Sequence, residues 1–107
     1  MLTCTLMREM GVRGTREVSL EIPEGDQGAS LPSYKLNALV NDAEREALPS
    51  GDIFRLTLRG GGLVVFWKGN VAIEIDGDRV RENCTVFRDR GTLTINGMTL
   101  IYTVKYS

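Results

Sequence analysis

The segment TLTINGMTLIYTVKY, residues 92–106, constrains the fold more than any other. Two β-rich runs meet at Asn96-Gly97, a dipeptide that accepts positive φ and so closes a tight hairpin between twisted strands. A chain that ends this way must place an antiparallel pair inside a larger sheet, because an isolated hairpin is marginal in water. Other stretches repeat the signal. LTCTLMRE alternates Leu2, Cys4 and Leu6 with Thr3, Thr5 and Met7, and REVSLEI sets Val18, Leu20 and Ile22 against Glu17, Ser19 and Glu21. Period-two alternation marks strands with one wet face. The glycine-containing GVRGT between them predicts an opening β-hairpin over 2–22.

Beyond the loop PEGDQGAS the pattern changes. Ser30 or Ser33 can cap a helix, Pro32 suits its first turn, and Leu36, Leu39, Val40, Ala43 and Ala47 follow a helical rhythm. One amphipathic helix is therefore expected over 31–48. From residue 52 to 106 the chain reads as a β-meander. IFRLTLR alternates, LVVFW is continuously apolar as in a strand covered on both faces, and Asp76-Gly77-Asp78 is a second tight turn. The expectation is a single β-rich α+β domain spanning residues 1–107. It has about seven or eight mostly antiparallel strands, as a meander, sandwich or partly open barrel, with one helix packed across the sheet or plugging a barrel end.

The run Gly60-Gly61-Gly62 raises the question of a phosphate cradle. Such a loop needs a helix behind it and a Lys-Ser/Thr pair, and neither follows here. The order hairpin, helix, strand, Leu58-Arg59-Gly60-Gly61 faintly resembles a ubiquitin-like β-grasp. In that family the motif is a free C-terminus, whereas 46 residues follow it here, so the glycines read as a turn. GDIFRL and GTLTINGMTLIYTVKY loosely resemble the late strands of a forkhead-associated domain. The Gly-Arg, Ser-x-x-His and Asn-Gly-Thr signatures that hold phosphothreonine there have no ordered counterpart, so no such site is carried over.

Composition narrows the chemistry further. At 107 residues, 42% apolar and 25% charged, the chain suits one globular domain. No histidine is present, which removes Ser-His-Asp and Cys-His catalysis and the usual His-bearing zinc sites. Cys4 and Cys84 lack metal-ligand spacing and read as buried thiols, and Asn83-Cys84-Thr85 matches a glycosylation sequon by chance. Glu74, Asp76, Asp78 and Glu82 cluster in EIDGDRVRE, but the offsets do not match a calcium loop, so a hairpin with solvated acids is the simpler reading. No cofactor and no metal are expected. With no apolar run near the ~20 residues of a membrane helix and no signal-peptide pattern, the expected location is cytoplasmic, without membrane contact.

Charge is unevenly spread. Residues 1–53 carry five basic and nine acidic side chains, and residues 54–107 carry eight basic and five acidic. Ten of the thirteen cations are arginine, the residue suited to forked contacts with carboxylates and phosphates. If residues 79–90 form a hairpin, Arg79, Arg81, Arg88 and Arg90 share one face, and Arg55 and Arg59 repeat that spacing earlier. That predicts a site for an acidic partner, a phosphate-bearing ligand or nucleic acid, weighed against a self-neutralised charge ladder. The last strand, through Leu100, Ile101, Tyr102 and Val104, is expected to be an uncovered edge open to pairing with a second copy or another protein. The function expected first is a non-enzymatic protein-binding or assembly module. Anion recognition by the arginines and a small carboxylate-dependent enzyme stand as alternatives.

Overall fold

The computed structural model describes residues 2–23, 27–59, 62–67, 71–80 and 85–106. The chain runs through β1 (Leu2–Glu9), β2 (Thr15–Ile22), β3 (Ala29–Pro32), a 3-10 helix (Ser33–Leu39), α1 (Asp42–Ala47), β4 (Asp52–Arg59) and β5 (Gly62–Trp67). It continues through β6 (Ile73–Ile75), β7 (Asp78–Arg79), β8 (Thr85–Phe87), β9 (Arg90–Ile95) and β10 (Met98–Tyr106). The strands form two antiparallel sheets, one of order β2-β1-β10-β9-β6-β7 and one of order β3-β4-β5-β8. Their inner faces meet in one core, where Leu2, Ile22, Leu93 and Tyr102 of the first sheet join Leu31, Phe54, Leu56 and Val65 of the second. The fold is a β-rich α+β sandwich, one of the arrangements the alternation left open.

The hairpins follow their turn chemistry. Asn96 and Gly97 sit at φ 51° and 86°, and Asp76 and Gly77 at 54° and 86°, both turns needing two consecutive residues at positive φ. The opening hairpin pairs β1 with β2 from Leu2 opposite Ile22 to Glu9 opposite Thr15. Arg59 lies opposite Gly62 in an antiparallel pair, so the glycine run joins two strands; Gly60 and Gly61 lie outside the described residues.

Two expectations fail in their detail. Residues 52–106 are no continuous meander, because the chain leaves the small sheet after β5, returns for β8, and leaves again for β9. The helix over 31–48 is also broken. Leu31 and Pro32 belong to β3, Leu36 and Leu39 are buried from the 3-10 helix, and Val40 is extended at φ −128° and ψ 152°. A three-residue spacing fits a 3-10 turn as well as an α-helix, so periodicity did not separate them. What restarts the helix is Asn41. Its side chain accepts from the Glu44 N–H at 2.8 Å while the Glu44 carboxylate accepts from the Asn41 N–H at 2.9 Å, a capping box. Ser33 does not cap; its hydroxyl donates to the carbonyls of Pro49 and Gly51 and staples the two ends of this segment.

Two polar clusters fix how the pieces meet. Arg8 donates a forked pair to Glu44 at 2.7 and 2.8 Å and reaches the Leu39 carbonyl at 2.9 Å, so one guanidinium holds the 3-10 helix and α1 against β1. Those hydrogen bonds hold the Glu44 carboxyl below, and the Arg8 guanidinium above, their ordinary values. The second cluster is centred on Tyr102, whose side chain is fully buried. Its hydroxyl donates to Asp76 at 2.7 Å and accepts from the Arg88 N–H at 3.1 Å, while Asp76 also accepts from the Thr92 N–H at 3.0 Å. Burial, then the bond to Asp76, pushes the phenol up to about 12. The contact crosses β9 at Gly91, where a Cβ would stand 1.9 Å from the Asp76 carboxylate and 2.6 Å from the Tyr102 oxygen.

Tyr102→Phe should cost about 1.5–3 kcal/mol in chemical denaturation, the range for a lost hydrogen bond to a charged group. Gly91→Ala should cost at least as much, and the double variant should fall well short of additivity because both changes break one contact. Additive losses would show that the clash at residue 91 acts elsewhere. For the other cluster, Glu44→Gln should destabilise by roughly 1–2 kcal/mol at neutral pH, discounted for partial exposure. Because the Glu44 value is lowered by folding, that stabilisation is present above the ordinary value of 4.5 and disappears as pH falls through the lowered one. Wild type and variant should therefore converge in melting temperature as pH falls below the lowered Glu44 value.

Candidate functional site

The six-stranded sheet turns one face into the core, and the residues of its other face are half-buried or exposed. Strand register arranges this outer face in cross-strand rows. Glu21, Thr3 and Lys105 form one, and Ser19, Thr5, Thr103 and Arg90 the next. Then come Glu17, Met7, Ile101 and Thr92, and finally Thr99, Thr94, Glu74 and Arg79. Threonine suits exposed strands because its branched Cβ fits the pleat and its hydroxyl remains solvated. Hydroxyl pairs link neighbouring strands within two of these rows, Thr5 with Ser19 at 3.1 Å and Thr94 with Thr99 at 3.3 Å. At the centre Ile101 is exposed at 37% beside a half-buried Met7.

Charge on this face is segregated. Over the four strands β2, β1, β10 and β9 the acids Glu9, Glu17 and Glu21 stand on β1 and β2, and Arg90 and Lys105 on β9 and β10, all exposed, while beyond them Glu74 of β6 lies opposite Arg79 of β7. The ion pairs among the described residues, Arg8 with Glu44 and Arg45 with Asp42, use none of these side chains. The alternation of LTCTLMRE contained the signal for Thr3, Thr5 and Met7. Only the strand order shows that they sit beside Lys105, Thr103 and Ile101.

β10 is an interior strand. It pairs with β1 on one side and β9 on the other, so the expected free edge through Leu100, Ile101, Tyr102 and Val104 does not exist. Leu100 and Tyr102 are buried, Val104 packs on the core, and Ile101 alone of the four is exposed. The true edges are poor templates. β7 has two residues, β8 three, and β3 four ending in Pro32. β2 is long, but pairing it with itself about Ser19 sets Glu17 opposite Glu21, like charge against like.

The arginines do not form one face. Arg79 and Arg90 lie on the outer side of the six-stranded sheet, whereas Arg55 lies on the far side of the sandwich, its guanidinium 5.3 Å over the Phe66 ring. Arg88 is exposed at the crossing between sheets, Arg59 ends β4, and Arg81 lies outside the described residues. β7 and β8 belong to different sheets, which rules out a hairpin over 79–90. Asp76 is the latch to Tyr102 rather than a solvated acid, and no three metal-ligating side chains converge among the described residues. Among the aromatic side chains, Phe54 and Tyr102 are buried and Tyr34 and Tyr106 are exposed.

Concave surface is modest. A groove of about 310 Å³ beside α1 is lined by Glu44, Asn96 and Met98, but Glu44 is bonded to Arg8 and Asn96 donates to the Ala47 carbonyl at 3.4 Å. No helix among the described residues is long and apolar enough to cross a membrane. No family model, curated protein or solved structure matches this chain.

Cys4 faces the core, and burial pushes its thiol up to about 12 from an ordinary 9.0. In a Cys84→Ser background it should resist a thiol reagent at pH 8 until the chain is unfolded, since the thiolate is the reacting species. Rapid labelling of the folded protein would contradict this placement.

Proposed function

We propose that this chain is a non-enzymatic protein-binding and assembly module whose working surface is the outer face of the six-stranded sheet. The observation that carries the reading is the arrangement of that face. A strip of Thr3, Thr5, Thr103 and Thr99 with Ile101 and Met7 at its centre runs along β1 and β10, bounded by Glu9 and Lys105 towards the ends of these strands and by Glu17, Glu21 and Arg90 on the flanking strands. Partner surfaces commonly combine an uncharged, partly apolar centre with a charged rim. Edge recruitment, by contrast, is opposed by short, proline-ended or acid-bearing edges.

A photo-crosslinking residue placed at Thr99 should give a discrete protein adduct, which Ile101→Lys should reduce by about tenfold or more, while the same probe at Arg55 on the opposite face gives none. A tenfold loss corresponds to about 1.4 kcal/mol, within reach of a charge forced into an interface. Equal labelling from both faces, or an adduct indifferent to Ile101, would refute the reading.

A further inference from the structure

We infer that the partner of this face is a second copy of the chain, stacked face to face about a twofold axis parallel to the strands and lying between β1 and β10. The inference rests on the binding-face reading above and names its occupant.

A twofold interface must be complementary to itself. With the axis along the strands, each cross-strand row meets its own reverse, so β9 of the second copy lies over β2 and β10 lies over β1. The row Ser19-Thr5-Thr103-Arg90 then brings Arg90 of the second copy over Ser19. Glu17 and Glu21 flank that position two residues away on either side, ~7 Å along the strand. Lys105 of the second copy lies over Thr3, one strand from Glu21. In the row Glu17-Met7-Ile101-Thr92, Ile101 of each copy lands on Met7 of the other and makes a small apolar centre. Charge also rejects the competing arrangement. A twofold across the strands through the Ser19–Arg90 row would set β2 on β2 and β9 on β9, Glu17 against Glu21 and Arg90 against Arg90.

The size of the face sets the strength. Four strands ~4.8 Å apart and eight residues long at ~3.4 Å cover on the order of 500 Å² per copy. Stable interfaces bury about 800 Å² per partner, so association should be weak and reversible, in the micromolar range, and sensitive to salt.

The test is sedimentation of the purified chain from about 1 μM to 1 mM at low salt, with two charge-reversed variants. Arg90→Glu with Lys105→Glu makes the face wholly acidic at these positions, and Glu17→Lys with Glu21→Lys makes it wholly basic. All four side chains are exposed, so circular dichroism and melting should confirm that the fold is kept. Wild type should dimerise, and each variant alone should be at least tenfold weaker. An equimolar mixture should form a heterodimer that salt dissolves, because both halves of the twofold then bring acid over base. A wild-type monomer at millimolar concentration overturns the inference, as does a dimer untouched by either reversal. If the Thr99 probe captures one other protein and never the chain itself, the second-copy inference falls while the binding face stands. If it captures nothing, both fall.

Discussion

The contact between Tyr102 and Asp76 organises the molecule because it ties three strands and one crossing at a single buried oxygen. Tyr102 belongs to β10, Gly91 lies opposite it on β9, and Asp76 reaches over from the turn after β6. The same phenol accepts the Arg88 N–H where the chain passes from the small sheet back to the large one. The contact requires a residue without Cβ at 91, since any side chain there would occupy the carboxylate's place. A buried phenol without a partner would cost free energy, so the network is satisfied as a unit or not at all. The contact spans β9, which pairs with β10 on one side and β6 on the other.

Pairing of β1 with β10 has a comparable reach. It joins the opening hairpin to the closing one at the middle of the sheet, so the two most regular hairpins bury their inner residues against the strands of the other sheet. Arg8 then anchors the intervening 3-10 helix and α1 to that frame through Glu44 and the Leu39 carbonyl. α1 has no buried residue of its own and six residues of length, so isolated propensity cannot sustain it. Its capping box and the Arg8 fork do.

Much of this was legible locally and little of it globally. Asn96-Gly97 and Asp76-Gly77 announced their turns because positive φ at two successive residues restricts side-chain choice. Leu2, Cys4 and Leu6 announced their face because strand periodicity is two. Alternation says which side of a strand a residue takes, but not which sheet the strand joins or which strands flank it. For that reason β10 read as an edge, and Arg55 and Arg90 read as one face although the core separates them. The helix expectation failed for a related reason. Leu36 and Leu39 satisfy a three-residue spacing in either helix type, and the break at Val40 depends on the Asn41–Glu44 capping box and the Arg8 contact to Leu39, which is remote in sequence.

The open face shows how a β-rich chain can separate two demands on its surface. Edges must repel other strands, and β2 does so with Glu17 and Glu21 while the remaining edges are short or end in proline. The middle strands β1 and β10 have both neighbours in place, so their backbone polarity is already satisfied. They are free to carry threonine, methionine and isoleucine without inviting strand addition. Acids that defend the β2 edge also project onto the outer face, because alternation gives each strand residue one side of the sheet. Placing Arg90 and Lys105 on the far half of that face then makes the edge defence one half of a self-complementary pattern. The polarity that discourages growth edge to edge is the same polarity that the proposed face-to-face stacking would use.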